Sequence, residues 1–161
     1  MRKLKIYLDT SVISHLHQPD APEKMRDTLL FWEELRQGKY HVFIGDTAIR
    51  EISECGQPKR DKLEIYLTDI AFELIQTTRE VELLASKIVE QGILAPKNFD
   101  DCLHIAAAVV ADCDVIASWN FKHMVNIKTI NGVRAVNIMN GFKPIDIYAP
   151  ATLVERSEDN E

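Results

Sequence analysis

What the sequence has little of excludes several classes at once. No window approaches the roughly 18 consecutive apolar residues of a membrane span, although 46% of the 161 residues are hydrophobic. The first segment, MRKLKIYLDTS, holds only Ile6, Tyr7 and Leu8 as an apolar stretch before Asp9 interrupts it, so the core of a signal peptide is missing. These absences predict a soluble, cytoplasmic protein with no membrane contact. Cysteine is sparse: Cys55, Cys102 and Cys113 share no CxxC spacing, which argues for buried thiols in a reducing compartment over a disulfide framework or a zinc site. Positive charge is also short, with 19 Lys and Arg against 25 Asp and Glu and a net charge of −6. A generic polyanion binder draws its affinity from clustered Lys and Arg, so any nucleic acid has to be held by a local patch. There is no internal repeat and no low-complexity tract. The length suits one domain, read as residues 1–150, followed by a polar, acidic tail at 151–161.

What is present alternates. LKIYL (4–8) reads as a short buried strand opening into Asp9-Thr10-Ser11 and a helix. Met25, Leu29, Leu30, Trp32 and Leu35 recur at helical spacing and Gly38 stands where a helix stops, which predicts a helix over 21–37. YHVFIG is a second strand, and DTAIREISE a helix capped by Asp46 or Thr47. PKRDKLEIYLTDI (58–70) is helical with Pro58 in its first turn. FELIQT is a third strand, REVELLASKIVEQG a helix stopped by Gly92, and DVIAS a fourth strand after the helix that begins near Asp100. AVNIM (135–139) is expected as the fifth. Strands alternating with helices predict a three-layer α/β/α sandwich around a central, mostly parallel sheet of about five strands.

Open parallel sheets bind ligands at the carboxyl ends of their strands, which gives weight to oxygen-bearing side chains there. Asp9 ends the first strand, Glu51 lies on the helix after the second, Asp101 starts the helix before the fourth, and Asn120 follows that strand in ASWNFKHM. Each also has an ordinary structural explanation. Asp100 or Asp101 suits a helix cap, and Asp100 is expected in that role with Asp101 in the site. Asp9 can cap the next helix, and Glu51 can form a surface ion pair. A phosphate-accepting aspartate of the dehalogenase type requires a second aspartate where Ser11 stands, and a receiver domain requires acids where RKLKIYL is basic. His104 shares a helix face with Asp101, one turn on, and reads either as a buried, hydrogen-bonded core histidine or as a residue supporting the site. Cys102 beside His104 is a candidate thiol nucleophile only if that thiol leaves the core.

YLDTSVIS, TAIREI and DDCLHIAAAVVADCDVIASWNFKHM together resemble the PIN-domain family, and within it VapC-like proteins, over nearly the whole chain. The last block is the specific one. The resemblance implies an α/β/α nuclease acting mainly on RNA, in many members as the toxin of a toxin–antitoxin pair. It implies Asp9, Glu51 and Asp101 as metal-binding acids, with Asn120 where a fourth aspartate is common. It also implies an antitoxin protein as partner and a homodimer, for which the exposed helices 21–37 and 58–70 are candidates.

Chemistry supports that set independently of the family. Converging carboxylates either take up protons or bind a cation, and hard oxygen ligands without Cys or His select Mg²⁺ or Mn²⁺. The expected activity is hydrolysis of RNA phosphodiesters, with Asn120 orienting water or substrate and Ser11 bonding one of the acids. An amide in place of a fourth carboxylate leaves the site one charge short for two ions, so a single resident ion is expected. Lys122, His123, Lys128 and Arg134 are candidate RNA contacts, and Trp119 a candidate stacking surface. A second reading is a catalytically weak or inactive PIN-like module that binds RNA or protein. A third is DNA-directed or phosphatase-like chemistry in the same centre.

Overall fold

The computed structural model describes residues 2–155. Five strands, β1 (Lys5–Leu8), β2 (His41–Gly45), β3 (Glu73–Ile75), β4 (Val115–Ala117) and β5 (Asp146–Tyr148), form one sheet in the order β3-β2-β1-β4-β5, and every neighbouring pair is parallel. Eight helices connect and cover them: α1 (Thr10–Ser14), α2 (Pro22–Arg36), α3 (Asp46–Ser53), α4 (Lys59–Leu67), α5 (Arg79–Glu90), α6 (Phe99–Val110), α7 (Ile127–Met139) and α8 (Pro150–Leu153). The three-layer sandwich predicted from the alternation of strands and helices is borne out.

The strand period of two divides the core. Tyr7, Phe43, Ile116 and Ile147 face α5, α6 and α7, where Leu84, Ile88, Ile105 and Val133 meet them. Ile6, Leu8, Val42, Ile44, Val115 and Ala117 face the other way, onto Phe31, Trp32 and Leu35 of α2 with Ile13 and Leu63. Because both faces are covered, the central strands are apolar past the polar Lys5 and His41 that begin β1 and β2, as parallel strands are.

Two boundaries differ from the sequence reading. AVNIM is the last part of α7, with Val136 and Asn137 buried while Ile138 and Met139 are 70% and 63% exposed. The fifth strand is instead DIY, where Ile147 alone turns into the core. The chain also stays structured past 150: α8 packs on α2, and Glu155 pairs with Lys39 at 2.6 Å. Residues 156–161 of the expected acidic tail lie outside the described residues.

β1 has β2 on one side and β4 on the other, so the chain changes direction across the sheet between β1 and β4. At such a switch point the loops leaving two adjacent strands diverge and open a crevice at their carboxyl ends. Asp9 lies at that crevice, its N–H donating to the Ala117 carbonyl at 3.3 Å.

Candidate functional site

Above the switch point is a cavity of about 290 Å³ whose lining includes Asp9, Ser11, Glu51, Asp101, His104 and Asn120. The six come from four segments: the β1–α1 junction, α3, the first turns of α6 and the loop after β4. The four oxygen-bearing side chains singled out in the sequence therefore share one cavity.

Asp9 forms its floor, 3% exposed. It caps α1 by accepting from the Val12 N–H at 3.2 Å. The Ser11 hydroxyl donates to the same oxygen at 2.5 Å, and the Ser118 hydroxyl to the other. Both serines are held in turn by backbone N–H groups, Ser11 by Trp119 at 2.8 Å and Ser118 by Asn120 at 3.0 Å. The side chain that caps α1 thus also lines the cavity. Burial raises its pKa above the ordinary carboxylate range, against the pull of His104 and the hydroxyl and N–H donors.

Glu51 rests on a buried chain of hydrogen bonds. Its Oε1 accepts from the Thr10 hydroxyl at 2.9 Å and lies 2.8 Å from His104 Nε2, while His104 Nδ1 lies 2.7 Å from the Tyr7 hydroxyl. His104 Nε2 donates to Glu51, and the Tyr7 hydroxyl meets the other ring nitrogen. Burial raises the Glu51 pKa, but the bond and charge of His104 with the Thr10 bond outweigh it, and the net shift is downward. Tyr7 is wholly buried, and a Cβ on Gly45 would clash with its hydroxyl oxygen. Glycine at the end of β2 is what admits the phenol to His104.

Asp101 stands in the first turn of α6, and its Oδ2 is 3.0 Å from His123 Nδ1. Burial raises its pKa and Asp9 adds to the rise, against the opposing pull of His104 and His123. Asp100 is not the cap. α6 starts one residue earlier, after a 3-10 turn over Pro96–Asn98, so Asp100 lies inside the helix, half-buried, and accepts from Arg50 at 2.7 Å. Asn120 spends its Oδ1 on the His123 N–H at 2.9 Å, which leaves the Nδ2 group, a donor suited to phosphate oxygens rather than to a cation.

The donor set suits a hard divalent ion in kind, being carboxylate oxygen. Among the described residues, however, no group of three or more His, Cys, Asp or Glu side chains stands ready to hold a metal. The reason is visible in the bonds. Both Asp9 oxygens are engaged, and one oxygen each of Glu51 and Asp101 is held by a histidine. Glu51 Oε2 and Asp101 Oδ1 have no described hydrogen-bond partner, and a closed set of three acids requires small turns of these side chains.

The other candidates divide. His123 belongs to the acid centre rather than to an outlying basic patch. Trp119 is 6% exposed and its indole N–H donates to Thr28 at 2.8 Å, so its faces are packed and offer no platform for a base. Lys122 is exposed on the loop, and Lys128 and Arg134 lie on the exposed side of α7. Burial pushes the Cys102 and Cys113 thiols up to about 12, which removes thiolate chemistry at neutral pH. The sequence reading passed over His15, which lines the cavity and bonds the Ser11 carbonyl through Nδ1 at 2.7 Å. Its position four residues after Ser11, on the same helical face, was the available signal.

No protein-family model and no curated protein matches the chain. Among solved structures, one chain of the crystal structure of VapBC2 from Rickettsia felis bound to a DNA fragment from their promoter is similar, with a TM-score of 0.57 at 15% identity over 91% of this chain and 98% of that one. The VapC-like fold inferred from the sequence motifs is thereby supported as a fold.

Proposed function

We propose that this protein is a divalent-metal-dependent endoribonuclease, the toxin of a toxin–antitoxin pair. The observation that carries the reading is the meeting of Asp9, Glu51 and Asp101, from three separate elements, with Asn120 around one cavity at the sheet's switch point. Asp9, Glu51 and Asp101 would hold Mg²⁺ or Mn²⁺, which would offset charge building on a phosphodiester and acidify the attacking water. The chain's own residues do the positioning. Ser11 and Ser118 fix the Asp9 carboxylate, the Tyr7–His104 pair aims Glu51, and the Asn120 amide offers an N–H to a phosphate oxygen. With an amide in the fourth position the site has charge for one resident ion.

An antitoxin partner is favoured by the neighbour's capture as VapBC2 on promoter DNA. Self-association through α2 or α4 belongs to the same proposal. The experiment is cleavage of cellular RNA with Mn²⁺, mapping new 5′ ends for wild type, Asp101→Asn and Asp100→Asn. Cuts that vanish only in Asp101→Asn carry the reading. Absence of metal-dependent cutting by wild type, with RNA binding intact, would transfer it to a non-catalytic binding module.

A further inference from the structure

An acidic cavity in a chain of net charge −6 repels the strand it is read to cut. Cations near the cavity therefore decide how a polyanion approaches. Lys128 and Arg134 belong to α7, which is not among the elements lining the cavity. Two lysines, Lys24 and Lys59, act instead on His15 at its wall. His15 lines the cavity and its ring lies 5.9 Å from that of Trp119. On one side, Lys24 of α2 reaches back over this wall, its Nζ 5.8 Å from the Trp119 ring and 5.4 Å from that of Phe121. On the other, Lys59 at the start of α4 donates to the Gln18 side chain, at the end of the 3-10 turn (His15–His17) that presents His15. Aromatic faces and a neutral amide leave both ammonium charges available. Phe121 is 49% exposed, whereas Trp119 is packed away.

We propose that Lys59, His15, Lys24 and Phe121 form the track along which a single-stranded nucleic acid enters the cavity, its phosphodiesters on the two lysines and a base against Phe121. The proposal rests on the nuclease reading of the cavity and assigns its substrate side to the α1–α2–α4 flank instead of α7. A strand on this track is held by backbone charge and stacking, the sequence-tolerant mode of single-strand binding. Lys24 and Lys59 are 35 residues apart in sequence, and the helices α2 and α4 bring both within electrostatic reach of His15.

The test is fluorescence anisotropy with a 5′-fluorescein single-stranded RNA of mixed sequence, in an Asp101→Asn background that blocks turnover. Lys24→Gln/Lys59→Gln, which keeps the aliphatic stems, is expected to weaken binding at least tenfold near 0.1 M salt. Two lost phosphate contacts should also flatten the slope of log affinity against log salt by about 1.4. Lys24→Arg/Lys59→Arg should restore both, and Phe121→Ala should weaken binding at least fivefold. A charge-matched control, Lys3→Gln/Lys87→Gln, should stay within twofold. Wild-type-like binding by Lys24→Gln/Lys59→Gln, or equal weakening by the control, overturns the track. If wild type still cuts RNA in that event, the nuclease reading stands without it. If wild type cuts no RNA, the nuclease reading falls, whatever the anisotropy shows.

Discussion

At the amino end of β4, Asp114 accepts from the Lys5 backbone N–H at 2.8 Å, from Arg2 at 2.9 Å and from Lys143 at 3.0 Å. At the carboxyl ends of β1 and β4, Asp9 and Asp101 share a cavity with Glu51, and among the described residues no Lys or Arg lines it. The same side chain is driven in opposite directions. Against the cost of burial, the N–H bond and two cations pull the Asp114 pKa down to about 2. Burial with too little compensation drives those of Asp9 and Asp101 up. One end of the sheet uses carboxylate charge to tie β1, β4 and the approach to β5 together, and the other leaves it largely uncompensated. A perturbed acid cluster in a cleft marks a functional site, whereas a satisfied one marks structure.

The sharpest way to break this comparison is to remove one acid from each end. Asp101→Asn should lower RNA cleavage by on the order of 10³-fold, the scale of losing a group that stabilises transition-state charge, with the folded state intact by circular dichroism. Asp114→Asn should leave cleavage within about twofold in the same assay. Equal losses would mean that the cavity is not the centre of chemistry.

The next effect concerns how the carboxyl end aims its acids. Gly45→Ala puts a methyl against the Tyr7 hydroxyl and should cost about 2 kcal/mol by urea denaturation, typical of overpacking in a core. In a Tyr7→Phe background the clash is largely gone, so the cost should fall by about half or more in a double-mutant cycle. Additive losses would show that Gly45 does not serve the phenol.

Much of the carboxyl end is readable from sequence, because a strand ending in aspartate and an acid opening an apolar helix are local patterns with fixed directions. The motif-bearing residues Asp9, Glu51, Asp101 and Asn120 share a cavity for that reason. The rest depended on packing. DIY is too short to show a period, while AVNIM has an apolar strand-like composition that its place in the α7 helix overrides. Asp100 looked like the cap because aspartates favour helix starts, but the preceding 3-10 turn moves the start back and frees Asp100 for Arg50. Tyr7 read as one more apolar strand residue; only the fold shows that its hydroxyl meets His104 across 97 positions. Lys24 and Lys59 were ordinary surface lysines until α2 and α4 set them beside His15.

At the amino end, Asp114→Ala removes the partner of a part-buried N–H and of two cations. A loss of about 1–2 kcal/mol follows, or roughly 2–8 °C in Tm for a chain of this size. Its pH dependence has a definite sign. A carboxylate whose folded pKa lies below its unfolded value stabilises the fold above the ordinary carboxylate range and loses that contribution as pH falls through the folded value. The Tm gap between wild type and Asp114→Ala should therefore be full at pH 6 and close between about pH 4 and pH 2. A gap that persists at pH 2 would mean that packing, not charge, holds this end together.

The smallest effect runs the other way and tests the cavity without any turnover. Asp101 has a raised folded pKa, so its ionisation works against folding at any pH above that value, and the penalty fades as protonation sets in. In chelator at pH 7, Asp101→Asn should be slightly more stable than wild type. The gain should be on the order of 0.5 kcal/mol, small because the side chain is partly solvated and its charge is screened. The amide oxygen can still accept from His123, so the gain isolates charge from hydrogen bonding. It should shrink as pH falls into the ordinary carboxylate range, opposite in sign to the Asp114 gap over the same titration. Adding Mn²⁺ at pH 7 should reverse the order, raising the Tm of wild type more than that of Asp101→Asn, because an ion that binds the folded state stabilises it in proportion to its affinity. If wild type is the more stable in chelator, His123 already compensates the Asp101 charge, and the contrast between the two ends of the sheet narrows to Asp9 alone.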